Sequence, residues 1–387
     1  MPSTRPGGSA ALPELDPPPG YRLVLPAHPR PIVLIGAGGI VRDAHLPAYA
    51  KAGFTVASLT DLDLGRAQEL AAAYGSAETY GSVEEAVAHA PADAVYDVAL
   101  PPEAHVAVLE ALPDGAAVLL QKPLGNHLAA GVRTRAVCRR KGLVAAVNTQ
   151  LRFAPYVAAA RELVAAGTIG ELYDLEVRVS VNTPWQMFPY VLDLPRLEIN
   201  MHSVHYLDLV RSFLGDPTGV SAVTVRHPTK TVANTRSDIA LTYGDRPIRV
   251  VVSTNHDHHF GEPYEESFVK WEGTRGAVRA QMGLLLDYPR GGEDRLEVIS
   301  DDRLDEGWRP VPFTGSWFPD AFVGSMSVLQ RYVEGSIPTL PTSVDDVFRT
   351  MAVVEAAYRS ADAGGEPPPY DSIPQENDDA TEDRGAR

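Results

Sequence analysis

One cysteine, Cys138, stands in a chain of 387 residues, so no internal disulfide can form. A reducing compartment suits such a chain, and the cytoplasm is the expected location. No apolar run approaches the roughly 20 residues that span a bilayer, so no membrane partner is expected. The Pro- and Gly-rich N-terminus has neither the basic start nor the apolar stretch of a secretory signal, and residues 1–30 are expected to be a disordered lead-in. Basic residues are scarce: 34 Lys and Arg against 50 Asp and Glu leave a net charge of −16. Nucleic acid and acidic lipid both need clustered cations, so neither is expected as a partner. Part of the acidic excess lies in residues 365–387, around Asp378, Asp379, Glu382 and Asp383, and reads as a disordered, solvated tail.

What is present is an ordinary globular composition, 44% apolar, on a chain long enough for two domains. From Pro31, short apolar strands alternate with helices: strands at 31–35, 54–60, 94–100, 116–120 and 143–147, helices at 64–74, from Ser82, 103–112 and 127–141. That alternation means βαβ units and a doubly wound parallel sheet over 31–150. Beyond Gln150 the pattern changes. Leu175, Val177, Val179 and Val181 alternate with Glu176, Arg178, Ser180 and Asn182, as on a half-buried antiparallel strand. Similar runs recur at 219–226, 238–243, 248–253 and 267–271, with helices at 153–166, 201–214 and 343–361. The fold class is therefore α/β followed by α+β, with an open, mainly antiparallel sheet over 151–364.

Gly36-Ala37-Gly38-Gly39-Ile40-Val41 lies between the first strand and a helix. Glycines at this spacing bring backbone N–H groups against a pyrophosphate at a helix N-terminus. The usual third glycine is Val41. Asp61 ends the second strand, 22 residues after Gly39. A carboxylate there accepts hydrogen bonds from the adenosine ribose and repels a 2′-phosphate, which favours NAD over NADP.

Lys122, in Gln121-Lys122-Pro123, directly follows strand 116–120 and so faces the cofactor cleft, where it can polarise a carbonyl or assist deprotonation of an alcohol. His202, His205 and Asp208 fall at i, i+3 and i+6 on a mostly apolar helix, a pattern for acid–base work with an orienting partner. His256, His258 and His259 sit close together, but no cysteine or spaced carboxylate completes a metal set. No metal is expected, and pocket lining suits them better. Trp185, Phe188 and Tyr190 lie in a long Pro-rich connection and suit either stacking on a sugar ring or packing on the body.

Taken in order, GAGGI at Gly36, Asp61, LPPEAH from Leu100 through Pro101 to His105, QKP at Gln121, NTQLRF from Asn148 to Phe153, GTIGEL at Gly167 and HYLDL at His205 resemble the glucose–fructose oxidoreductase and inositol dehydrogenase (Gfo/Idh/MocA) family from about Pro31 to Ala361. The resemblance implies a Rossmann domain, a substrate domain whose sheet makes dimer or tetramer contacts, and activity on a sugar or cyclitol. Lys122 matches the signature lysine, His205 the catalytic histidine, and Asp208 a frequent substrate-contacting carboxylate. Arg152, His202 and Trp185 join them as expected substrate contacts. Gly36, Gly38, Gly39, Ile40, Asp61, Leu100, Pro101, His105, Gln121, Lys122 and Asn148 are the expected cofactor contacts. Gln121 replaces the usual Glu, and Met201 stands where an Asp is frequent, four residues before the histidine; His202 is the candidate to compensate. The reading is reversible hydride transfer with His205 as base or acid. An NAD-binding sensor without catalysis, and a lyase or glycosidase that oxidises its substrate transiently, are the two alternatives.

Overall fold

The structure, a computed structural model, describes residues 23–75 and 77–366. Most of the expected lead-in and nearly all of the expected acidic tail lie outside the described residues. Apolar runs bounded by glycine and capping residues form the first unit: β1 (Ile32–Ile35), α1 (Leu46–Ala52), β2 (Val56–Thr60), α2 (Leu64–Tyr74), β3 (Glu78–Tyr80), α3 (Val83–Ala88), β4 (Val95–Val98), α4 (His105–Ala111), β5 (Ala117–Gln121), α5 (Leu128–Arg140) and β6 (Val144–Asn148). The caps follow the chemistry of their side chains: Ser82 Oγ accepts the Glu85 N–H at 3.2 Å, and Glu85 reaches back to the N–H of Gly81. The strands pair in parallel in the order β3-β2-β1-β4-β5-β6. The order reverses beside β1, which opens a crevice at the carboxyl ends of β1 and β4.

The second unit contains α6 (Pro155–Ala165), β7 (Leu172–Ser180), α7 (Val204–Leu214), β8 (Gly219–Val225), β9 (Arg236–Thr242), β10 (Arg249–Asn255), β11 (Glu266–Gly273), β12 (Gly276–Gln281), β13 (Arg295–Ser300), β14 (Arg309–Pro310), α8 (Asp320–Val333) and α9 (Val344–Ala363). Its sheet runs β14-β13-β12-β11-β7-β10-β9-β8, antiparallel except for the parallel β7–β10 pair. The alternation along β7 is realised: Leu175, Val177 and Val179 face the helices, while Glu176 and Arg178 meet Lys270 and Glu266 on the outer face.

Two features depart from the sequence reading. Helix α8 is absent from it and packs on the first sheet, where Phe322, Val323, Met326 and Leu329 join Ile32, Leu34 and Leu119 in one cluster. Burial of each such side chain is worth about 1.5–3 kcal/mol, so a division at residue 150 leaves a stabilising layer of the Rossmann unit in the second half of the chain. The last residues of the expected lead-in are also tied down: the N–H groups of Ala27 and His28 donate to the Glu334 carboxylate, and that of Arg30 to Gln330 Oε1. Burying a helix face and satisfying these donors ties both segments to the body.

Candidate active site

Gly36 turns the chain after β1 at φ +107°, and a Cβ there would sit 2.6 Å from the Ala99 carbonyl oxygen, so both backbone and space require glycine. Around Gly38 a Cβ would meet nothing within 4 Å. This open space lies before the N–H groups of Gly39 and Ile40 that start the following helix, ahead of those of Val41 and Arg42, which donate to the Gly38 carbonyl, and it fits a pyrophosphate. Val41 is buried, and Val41–His45 form a π-helical turn. Asp61 binds back to the loop: one carboxylate oxygen accepts the Ala37 N–H at 2.8 Å, the other the Asp63 N–H at 2.9 Å. Each oxygen keeps a lone pair for a ribose hydroxyl. Arg66 stands 3.8 Å away.

Loop 99–101 abuts the glycine turn, with Leu100 Cδ2 beside Gly36. His105, an expected cofactor contact, bonds to this loop. It is fully buried, its Nε2 contacts the Leu100 carbonyl at 3.2 Å, and burial pushes its pKa down to about 4, so it holds the loop as a neutral donor. At the end of β6, both amide atoms of the fully buried Asn148 have no partner, nor do Thr149 Oγ1 and Gln150 Oε1. Orphaned polar atoms at the carboxyl edge of a parallel sheet fit a bound polar group such as a carboxamide.

The adjacent strand end carries Lys122. Its ammonium donates to the Met201 carbonyl at 2.9 Å, which brings it to the segment that begins α7. Burial lowers its pKa to about 8. Burial above all, then the neighbouring His256 for His202, and the positive charge of Lys122 for both, hold His202 and His205 well below the ordinary histidine value, so both are neutral. His205 is buried with Nδ1 unpartnered, its ring edge-on to Trp317 at 5.8 Å. His202 stacks on His256 at 4.3 Å, and Trp185 lies against both at 5.3 and 5.7 Å. Trp185 is thus a packed wall of this cluster instead of an open platform. Behind it, Glu198 accepts the Ser203 hydroxyl at 2.6 Å, lies 3.8 Å from His256, and is pushed up to about 7 by burial.

Three expected contacts are engaged elsewhere. Asp208 is fully buried, grips Arg152 through two hydrogen bonds and accepts the Thr350 hydroxyl at 2.8 Å. Arg152 also binds Asp346 and the Pro341 carbonyl. A carboxylate saturated by a bidentate arginine has little left for a substrate hydroxyl, so the pair joins α7 to α9. Gln121 turns into the protein: its Oε1 accepts the Lys122 N–H and its Nε2 donates to His45. His45, Asp97 and Tyr49 were not singled out from sequence, although Asp97, a carboxylate inside the apolar run VYDV, was the available signal. Among the described residues no group of three or more His, Cys, Asp or Glu could hold a metal ion.

An oxidoreductase-family profile with an NAD-binding Rossmann fold matches residues 30–149, and the C-terminal domain profile of the same family matches residues 157–279. The chain belongs to the Gfo/Idh/MocA oxidoreductase family. Within that family it is 27% identical over 341 residues to D-apiose dehydrogenase of Paraburkholderia graminis, covering 86% of this chain and 87% of that one. It is 27% identical to D-xylose 1-dehydrogenase (NADP(+)) 2 of Haloferax volcanii, covering 86% and 97%. An oxidoreductase from Agrobacterium radiobacter, solved with NAD+, L-tartaric acid and magnesium, superposes with a TM-score of 0.69 at 23% identity over 87% of this chain and 97% of that one. This Gfo/Idh/MocA member is an NAD-binding Rossmann enzyme by descent, and no described helix is long and apolar enough to cross a membrane.

Proposed function

We propose that the protein is a dehydrogenase that uses NAD(H) in preference to NADP(H) and moves a hydride between nicotinamide and a secondary alcohol or ketone of a sugar, sugar derivative or cyclitol. The observation that carries this reading is the bond from Lys122, at the end of a Rossmann strand, to the Met201 carbonyl, four residues before His205. It brings an ammonium and a neutral imidazole to one junction between the domains. Gly38, Gly39 and Ile40 would hold the pyrophosphate, Asp61 the adenosine ribose, and Asn148 the nicotinamide end. Bound there, the nicotinamide supplies or accepts the hydride.

The protein's part is protonic and positional. Neutral His205 takes the hydroxyl proton of the alcohol during oxidation and returns it during reduction. The Lys122 ammonium donates to the reacting oxygen and favours the developing alkoxide. His202 and Trp185 wall the pocket. D-apiose and D-xylose are named for the two relatives above, which supports a sugar substrate. An oligomer formed through the second sheet is part of the reading: Val223 and Val225 project from its outer face, 61% and 44% exposed.

The test is a screen of sugars, sugar acids, cyclitols and their keto forms with NAD and NADP, following reduced-cofactor absorbance. Turnover with NAD preferred is expected. An enzyme that binds NADH but turns over none of them would instead be a sensor.

A further inference from the structure

Beneath Lys122 runs an unbroken buried chain of hydrogen bonds. The Tyr49 hydroxyl donates to Asp97 Oδ2 at 2.6 Å, and His45 Nδ1 meets the same oxygen at 2.6 Å. His45 Nε2 faces Gln121 Nε2 at 3.2 Å, and Gln121 Oε1 faces the Lys122 N–H at 2.9 Å. His45, Tyr49, Asp97 and Gln121 are all buried, and Phe322 of α8 packs on the His45 ring at 4.9 Å.

The chemistry leaves one arrangement of protons. A backbone N–H can only donate, so the Gln121 carbonyl oxygen must face Lys122 and its NH2 must face His45. An amide NH2 also only donates, so His45 Nε2 is the acceptor and Nδ1 carries the proton toward Asp97. His45 is therefore a neutral connector of fixed tautomer. It stands at the end of the turn that follows the glycine loop, and Gln121 immediately precedes Lys122.

We infer that His45, oriented by Asp97 and Tyr49, is a positioning residue for Lys122: through Gln121 it sets the backbone from which the ammonium reaches the Met201 carbonyl. A family-typical glutamate at position 121 would offer His45 Nε2 only acceptors and would require a second proton on the ring. Glutamine removes that requirement and makes the link to the neutral ring. Except for Asp97 Oδ1, which is buried without a partner, the bonds close within the protein, and the link from His45 to Lys122 uses no contact with cofactor or substrate. Only the importance given to Lys122 rests on the dehydrogenase reading.

Four variants test this: Gln121→Met, which cuts the link but leaves His45, Asp97 and Tyr49 paired; His45→Gln, whose amide can donate to Asp97 and accept from Gln121; His45→Leu, which fills the space without hydrogen bonds; and Asp97→Asn. The first readout is the pH dependence of Lys122 carbamylation by cyanate in the intact protein, followed by peptide mass spectrometry. The second is NADH affinity by fluorescence. The wild-type midpoint is expected at about 8. Gln121→Met and His45→Leu should move it up by about a unit or more, toward the ordinary lysine value, as the ammonium loses its buried seat. His45→Gln should restore the wild-type midpoint, Asp97→Asn should fall between, and NADH affinity should stay within about threefold, less than half a pKa unit in free energy. An unmoved midpoint in Gln121→Met overturns the inference, as does a matching loss of NADH affinity, because the network would then serve the glycine loop. Equal midpoints for His45→Gln and His45→Leu also overturn it, since packing alone would then explain His45. If His45→Leu does not fold, Gln121→Met decides. Neither readout needs turnover, so failure of the dehydrogenase reading leaves this test intact.

Discussion

The Lys122 ammonium is seated on the main-chain carbonyl of Met201, 2.9 Å away across the domain junction. Met201 occupies the position where a carboxylate is frequent in the family. A carbonyl orients an ammonium without neutralising it, so the positive charge stays active on its neighbours. That charge is one cause of the lowered pKa of both His202 and His205.

The pH profile should show this directly. His205 is held neutral well below the usual histidine range, so alcohol oxidation should lose little activity between about pH 8 and the ordinary histidine value of about 6.5. Activity should fall on the alkaline side, as Lys122 deprotonates with a pKa of about 8. His205→Ala should cost on the order of 10²- to 10⁴-fold in kcat with NADH affinity nearly unchanged. Lys122→Arg should abolish the alkaline limb, because a guanidinium does not titrate there. The measurement is kcat against pH for the three proteins. An alkaline limb that survives in Lys122→Arg would assign it to another group.

Stability should depend on the same lysine. Its folded pKa of about 8 lies below the ordinary value of 10.5, so between those limits the folded state binds fewer protons than the unfolded. The burden on folding is therefore full below about pH 8 and is relieved as pH rises toward 10.5. Lys122→Met should raise the thermal midpoint at pH 7, and the gap from wild type should close by about pH 10. A gap that stays constant with pH would mean that packing, not charge, separates the two proteins.

Asp208 and Arg152 should behave as structure. Removing one partner of a buried ion pair strands the other, typically costing about 3–5 kcal/mol, so Asp208→Ala should lower the thermal midpoint by many degrees. Any KM effect should follow the loss of folded protein. A variant of wild-type stability with a tenfold higher KM would return Asp208 to the substrate, since tenfold corresponds to about 1.4 kcal/mol of lost contact.

Asp61 should govern the choice of cofactor. It secures the glycine loop through Ala37, and under the proposed NAD preference its charge would exclude a 2′-phosphate. Asp61→Ser should lower kcat/KM with NAD and raise it with NADP, with Arg66 already close enough to meet the phosphate. Comparing kcat/KM for both cofactors checks this; a wild type that prefers NADP removes the role.

Local pattern carried much of the architecture. Helix α2 lies at Leu64–Tyr74 as its periodicity indicates, and Ser82 and Ser343 cap the helices they precede. The strands from β1 to β11 fall within a few residues of their apolar runs, β3 excepted. What escaped is three-residue β3, two-residue β14, the half-polar strands β12 and β13, and α8, which lacks a side-chain cap at its start. Such segments form because a neighbouring strand or core accepts them, which is a tertiary cause.

For the site, sequence alone determined the residue types and their order: a glycine turn, an acidic strand end, a lysine after a strand, and histidines on a helix. These follow from backbone conformation and short-range spacing, which are local. Only the tertiary structure decided what each side chain faces. It gave Asp208 to Arg152, turned Gln121 toward His45, buried His105 under Leu100 and brought Lys122 to Met201. The physical reason is that a buried polar group must find its partner wherever the fold supplies one. Here the partners lie from 5 residues away, for His105 and Leu100, to 79, for Lys122 and Met201.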